Sequence, residues 1–307
     1  MTENGLNYNA PSSIRAFLDA HGLSMQKKFG QNFLINEGAR LKLVEALGAG
    51  AGDAVWEIGP GLGSMTRLLL DRGAEVKVFE IDRGFVAALN GIFAKEIAAK
   101  QLVIAEGDVL KTWPAHAAHA AHAAEAGKRP LRLLGNLPYN IAGTLLADFI
   151  ERSRFFSCGV VTVQKEVASR IMARSGDRDY SSLAVLFSEI YETRKICAMK
   201  SAFFYPPPNV DSTAFSFAPR QAAAPPPPPV FFPLVRALFA QKRKTAYNNL
   251  CRFAGNAALP GVSRDGIPAF CEKALFQCAI DKNTRAENLK PADFRNLATF
   301  LTDRSHN

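Results

Sequence analysis

Four consecutive residues, Asn136-Leu137-Pro138-Tyr139, place an amide side chain, a rigid turn and an aromatic ring directly after an apolar run. Together they suit the alkylation of an exocyclic aryl amine. Such an amine is a poor nucleophile, because its lone pair is delocalised into the ring. The site must hold the amine and push that lone pair toward a methyl donor. The Asn136 side-chain carbonyl and a backbone carbonyl of the turn accept the two amine hydrogens. Pro138 stiffens the loop and removes a competing donor, and Tyr139 offers a face on which a base stacks. An ordinary strand-to-helix turn also tolerates Asn, Pro and Tyr, so the assignment depends on what lies upstream.

Upstream, Glu57-Ile58-Gly59-Pro60-Gly61-Leu62-Gly63 leaves one apolar run and opens a helical pattern. Glycines such as Gly59 and Gly61 let the backbone turn sharply and approach a ligand, and the following helix offers free amides. The spacing is not the GxGxxG of a dinucleotide site, and a tight structural turn accounts for two of the three glycines. Glu80 closes the next apolar run, where doubly wound folds bind a ribose through its hydroxyls. Asp108 closes the third, where it can accept a hydrogen bond from the amine of an adenine ring. Each acid alone reads as a solvated strand end. Together they occupy successive strand ends, where open α/β sheets bind ligands, and imply a nucleoside cofactor beside the Asn136 turn.

The elements that must position these residues alternate. Apolar runs at AVWEI (54–58), EVKVF (75–79), LVIA (102–105), LRLLG (131–135) and GVVTV (159–163) read as strands. Helical patterns over Ser64–Asp71, Arg83–Phe93, Ala142–Arg152 and Lys165–Arg174 lie between or after them. This order predicts an α/β fold with a mostly parallel, doubly wound sheet. Stretches around Ile196–Phe203 and Ser212–Phe217 can add an edge hairpin. AAAPPPPP, at 222–229, continues neither helix nor central strand and reads as a spacer between a catalytic domain, 1–221, and a second domain, 230–307. Amphipathic patterns beyond it predict a small helical bundle. In HAAHAAHAA, His116, His119 and His122 recur every three residues without a carboxylate or thiolate to complete a ligand set, so the insert reads as an Ala-rich helical or loose insertion and no metal is assigned.

The chain has 307 residues and a formal net charge of +9. From Val230 onward there are 12 Lys and Arg against 6 Asp and Glu, so most of the excess lies in the C-terminal part, which suits a polyanionic partner. The cluster Lys242, Arg243, Lys244 is a candidate phosphate contact, although a solvated helix end would look the same. Lys27 and Lys28 are further candidates. Five cysteines without a CxxC pair read as buried thiols in a reducing compartment. No signal pattern and no membrane-length apolar run is evident, so the expectation is a cytoplasmic protein without membrane association. Nothing requires a dimer, and a monomer is expected.

With these residues in view, the chain resembles the rRNA adenine N6-dimethyltransferases, specifically the bacterial small-subunit type. The similarity runs through KKFGQNFL (27–34), EIGPGLGSMT (57–66), FEIDR (79–83), GDVL (107–110), GNLPYNI (135–141), VQKEVASRI (163–171), FYPPPNVDS (204–212), QKRKT (241–245) and RAENL (285–289). It implies a Rossmann-like S-adenosylmethionine-dependent methyltransferase domain and a basic helical rRNA-binding domain. Asn32, Leu34, Gly59, Glu80, Asp108 and Asn136 would hold S-adenosylmethionine, with QNFL as a flap over it. Asn136 and the Leu137 carbonyl would orient the target amine, and Tyr139 would stack on one face of the base. Phe204 would stack on the other, with Phe203 as a competing choice. The implied reaction is N6,N6-dimethylation of two adjacent adenosines in the loop of the 3′-terminal hairpin of 16S rRNA, within a pre-30S particle. Three competing functions share part of this pattern: an assembly checkpoint whose binding outweighs its chemistry, a large-subunit methylase, and a small-molecule methyltransferase. The PPPNVDS and RAENL segments favour the small-subunit type.

Overall fold

The computed structural model describes residues 5–26, 29–125, 130–152, 156–220, 225–257 and 263–303. Nine strands are present among the described residues: β1 (Phe33–Leu34), β2 (Ala54–Ile58), β3 (Glu75–Glu80), β4 (Leu102–Glu106), β5 (Leu131–Asn136), β6 (Phe156–Gln164), β7 (Tyr191–Met199), β8 (Phe204–Tyr205) and β9 (Ser212–Pro219). Seven form one sheet in the order β4-β3-β2-β5-β6-β9-β7. The pairs β4-β3, β3-β2, β2-β5 and β5-β6 are parallel, and β9 runs antiparallel to β6. Central strands such as AVWEI are buried along nearly their whole length, as helices on both faces of a parallel sheet require. All five predicted strands form, and β9 with β7 completes the sheet where the edge hairpin was expected.

Two compact units divide the chain: Met1–Ala168 with Thr193–Pro219, and Ser169–Glu192 with Arg220–Asn307. This division differs from the boundary read at the proline run, because residues 169–192 join the C-terminal helices. The helix Ser182–Ile190 is the reason. Its sequence SLAVLFSEI is mostly apolar and buries Leu183, Ala184, Val185, Leu186, Phe187 and Ile190, which a helix does only when it is covered on more than one side. It packs against helices Phe231–Leu238 and Pro291–Asp303, and Glu189 pairs with Arg295. The described prolines are likewise part of this packing and not a free spacer. Pro227 is buried, and the Arg295 guanidinium donates to the Pro225 carbonyl at 3.1 Å.

Within the helical unit, Phe231–Leu238, Ala246–Ala257, Ile267–Gln277 and Pro291–Asp303 pack successively around buried Leu234, Leu238, Leu250, Leu275, Phe294 and Leu297. Asn249 is buried there, and its Nδ2 donates to the carbonyls of Leu238 (2.8 Å) and Gln241 (3.2 Å). That amide closes the turn carrying Lys242, Arg243 and Lys244, all three of which are exposed. The histidine insert continues the helix Val109–Glu125, in which Nδ1 of His116 lies 3.2 Å from Nζ of Lys77. The side chains of His119 and His122 lie outside the described residues. No group of three metal-ligating side chains occurs among the described residues, and no helix among them is long and apolar enough to cross a membrane.

Losing Asn249 leaves the buried Leu238 carbonyl without its side-chain donor, so Asn249→Ala is expected to destabilise the helical unit by about 1–3 kcal/mol. Chemical denaturation followed by circular dichroism checks this as a lowered midpoint.

Candidate functional site

The four parallel strands β2, β3, β4 and β5 end side by side, and each hands one element to a single cleft that is partly open to solvent. Gly59 and Gly61 come from the turn after β2, Glu80 from the end of β3, Asp108 from beyond β4, and Asn136 with Pro138 from β5 and its turn. Asn32 and Leu34 enter from the N-terminal side. Adjacent apolar residues, Ile81 and Val109, line the same space. The sequence-predicted cofactor residues are thus brought together.

The glycine turn is shaped by close approach. Gly61 has φ +58°, and a Cβ there would stand 2.9 Å from the Phe33 ring. Gly63, at φ +81°, would place a Cβ 2.3 Å from Phe93. Side chains at either position would both strain the backbone and push an aromatic away. Phe33 therefore packs closely against the loop, and the flap that carries it is anchored at several points. β1 pairs antiparallel with β8, Phe33 opposite Tyr205 and Leu34 opposite Phe204. Gln26 and Gln31 donate from Nε2 to the same oxygen of Asp82, at 3.1 and 2.9 Å. Tyr8 donates its hydroxyl to the Leu62 carbonyl at 2.9 Å.

Asn136 joins flap and turn. Its Nδ2 donates to the Asn32 carbonyl at 2.9 Å, while its Oδ1 is buried and accepts no hydrogen bond. A buried acceptor without a donor costs about 1–3 kcal/mol, so one at the wall of a cleft marks a place for a ligand donor. Leu137 is buried and its amide donates to the Thr162 carbonyl at 3.0 Å, which fixes the turn to β6. Tyr139 is half-buried, and its hydroxyl shares a 2.7 Å hydrogen bond with Ser212, the last residue of FYPPPNVDS. Burial pushes the Tyr139 phenol above its usual pKa.

The acids differ in surroundings. Burial raises Glu80 to about 7, against the pull of backbone amides from Asp82, Ile81 and Gly61. Glu57, wholly buried in the centre of β2, also rises to about 7 through desolvation, opposed by a 2.6 Å hydrogen bond from Thr66. One Glu57 oxygen has no partner. Asp108 is half-buried and accepts from the Leu110 amide at 3.0 Å.

Phe204 is not brought to this cleft. Its register partner Leu34 reaches both the cleft and the core, whereas Phe204 is absent from the cleft wall. It is 2% exposed and sits in the hydrophobic core with Leu34, Leu43, Val160, Met199 and Ala214. Phe203, the competing choice, is half-buried at the edge of the same cluster, and its carbonyl accepts from the Ile35 amide at 2.9 Å. Lys27 and Lys28 lie outside the described residues. Residues not singled out in the sequence also belong to the site: Phe33 and Pro60 line the cleft, and Asp82 anchors the flap. Asp82 had a signal, since an Asp before a helix is a favoured N-cap, and its side chain does accept from the Gly84 amide at 2.9 Å.

Comparison with known proteins gives the family. The family described as ribosomal RNA adenine dimethylase matches residues 22–303. A protein named ribosomal RNA small subunit methyltransferase A from Treponema denticola is 38% identical over 96% of this chain and 96% of its own length. Its counterpart from Pelotomaculum thermopropionicum is 35% identical over 96% and 97%. Among solved structures, a dimethyladenosine transferase from Plasmodium falciparum aligns with a TM-score of 0.70 at 25% identity, covering 88% of this chain and 97% of that one. The 23S rRNA methyltransferase ErmE shares the fold, with a TM-score of 0.58 at 21% identity over 88% of this chain and 100% of that one. The chain belongs to the ribosomal RNA adenine dimethylase family, a family of S-adenosylmethionine-dependent rRNA adenine dimethyltransferases.

Proposed function

We propose that this chain dimethylates N6 of adenosine in small-subunit rRNA, using S-adenosylmethionine held in the cleft at the ends of β2 to β5. The observation that carries the reading is the buried, unpartnered Oδ1 of Asn136, an acceptor positioned beside Glu80, Asp108 and the glycine turn. The cleft fits the cofactor in kind. Glu80 is an acceptor for ribose hydroxyls, Asp108 for the adenine amine, and the backbone at Gly59 and Gly61 leaves room that a side chain would fill. Asn32, Leu34 and Asn136 would close the flap side. When bound, the sulfonium supplies an electrophilic methyl group.

The residues of this chain do the rest by orientation. Asn136 Oδ1 and the Leu137 carbonyl accept the two hydrogens of the target amine, which holds its lone pair toward the donor and stabilises the positive charge that develops on nitrogen. Tyr139, tethered through Ser212, offers a face to the base. Phe204 contributes by holding β8 against the flap strand. A base inside a duplex hides its amine, so the target adenosine enters unstacked. The names of the relatives support small-subunit rRNA as the substrate. The PPPNVDS and RAENL segments favour the small-subunit type; the target of this reading is the two adjacent adenosines of the 3′-terminal hairpin loop in a pre-30S particle, and the enzyme of this reading is a cytoplasmic monomer. Lys242, Arg243 and Lys244, with Lys27 and Lys28, would supply phosphate contacts that give affinity without sequence information.

Removing the acceptor tests the reading directly. Asn136→Ala is expected to lower kcat by about 10²–10³-fold for methyl transfer into under-methylated small subunits; full activity would sink the catalytic assignment. Glu80 sets a pH dependence. Its carboxylate accepts from hydroxyls when ionised, so cofactor affinity is full above pH 7 and falls as pH drops through about 7, by at most about tenfold per pH unit. Calorimetric titration of the wild type and of Glu80→Gln, which is expected to flatten the profile, measures this. Replacing Lys242, Arg243 and Lys244 by Gln together is expected to reduce the dependence of log affinity on log salt by about 2–3, read from RNA binding across a salt series.

A further inference from the structure

Phe276 is 84% exposed on the outer face of helix Ile267–Gln277. A single surface apolar residue needs no explanation, but the surroundings of this one are organised. It borders a shallow dish whose floor is buried Leu275 and Ile280 and whose rim carries Lys273 and Lys282. Lys282 pairs with Glu272 at 2.5 Å and stands 4.3 Å over the ring of Tyr247. Tyr247 opens the helix Ala246–Ala257, which the exposed turn of Lys242, Arg243 and Lys244 leads into. Cations and aromatic faces therefore alternate along one track of the helical unit, from the basic turn through Tyr247 and Lys282 to Phe276.

We infer that this track binds an unpaired segment of the substrate RNA, with one base stacked on Phe276 and neighbouring phosphates on Lys273 and the 242–244 turn. The inference rests on the RNA-modifying reading above and adds a second contact remote from the reacting amine. A protein partner would want the apolar dish without the interleaved cations. A single-stranded nucleic acid wants both, because every base has a π-face and every link a charge. The excess of 12 basic over 6 acidic residues from Val230 onward supplies the complementary charge. Stacking of this kind is tolerant of sequence, so the track lends affinity and leaves the choice of adenosine to the cleft.

Binding of a labelled, unstructured oligoadenylate to the full chain tests it, with wild type, Phe276→Ala and Phe276→Trp compared. Phe276→Ala is expected to weaken binding about tenfold while leaving its salt dependence unchanged, because no phosphate contact is lost. With under-methylated small subunits the same variant raises KM and leaves kcat unaltered. Phe276→Trp retains affinity, and RNA quenches its solvent-exposed emission; the native Trp56 and Trp113 are buried, so the added indole is read separately. Unchanged oligoadenylate affinity in Phe276→Ala, or emission from Phe276→Trp that RNA does not move, overturns the inference. So does a concentration-dependent self-association that Phe276→Ala removes with RNA affinity intact, which would assign the surface to a second copy of the chain. Because the readout is binding, a wild type that fails to methylate small-subunit RNA defeats the functional reading alone.

Discussion

The side-chain amide of Asn136 has two ends, and the protein satisfies one. Nδ2 is spent on the Asn32 carbonyl, which ties the N-terminal flap to the end of β5. Oδ1 is left buried without a donor. A fold keeps such an acceptor only where the rest of the structure over-determines its position. Here the neighbouring Leu137 amide is pinned to β6, the Tyr139 hydroxyl to Ser212, and the flap to Asp82 through two glutamines. The turn cannot rotate its acceptor toward water without breaking those contacts.

The same constraint explains the buried acids. The burial that leaves one amide acceptor without a donor also raises Glu80, at the cleft wall, and Glu57, within β2, to about 7. In water both would be ionised at a far lower pH. Low local polarity strengthens every hydrogen bond to a ligand and penalises every unpaired charge. The site therefore holds groups that are poorly satisfied by the protein itself, and a nucleoside with its hydroxyls and amine completes them.

Much of this was legible in the sequence, because it depends on local pattern. Each strand of the parallel core is a mostly apolar run, and Glu80, Asp108 and Asn136 stand at or just past the ends of such runs. What was not legible depends on contacts distant in sequence. Phe33–Leu34 carries no strand signal of its own and becomes one by pairing with Phe204–Tyr205. Phe204 is buried in the core there, which motif resemblance alone could not show. SLAVLFSEI reads as an apolar helix anywhere in the fold, and only its partners from the C-terminal helices assign it to the second unit. The prolines at 225–229 look like a spacer by composition, yet Arg295, some 70 residues on, binds one of their carbonyls.

The central claim is that the cleft presents the N6 amine of an RNA adenosine, and no smaller molecule, to the methyl donor. Incubating the protein with methyl-labelled S-adenosylmethionine and either under-methylated small subunits or free adenosine, then digesting the RNA to nucleosides and resolving them, tests it most directly. The account predicts label in N6,N6-dimethyladenosine from subunit RNA and none on free adenosine. Label on free adenosine but not on the subunit, or at an atom other than N6, would contradict it.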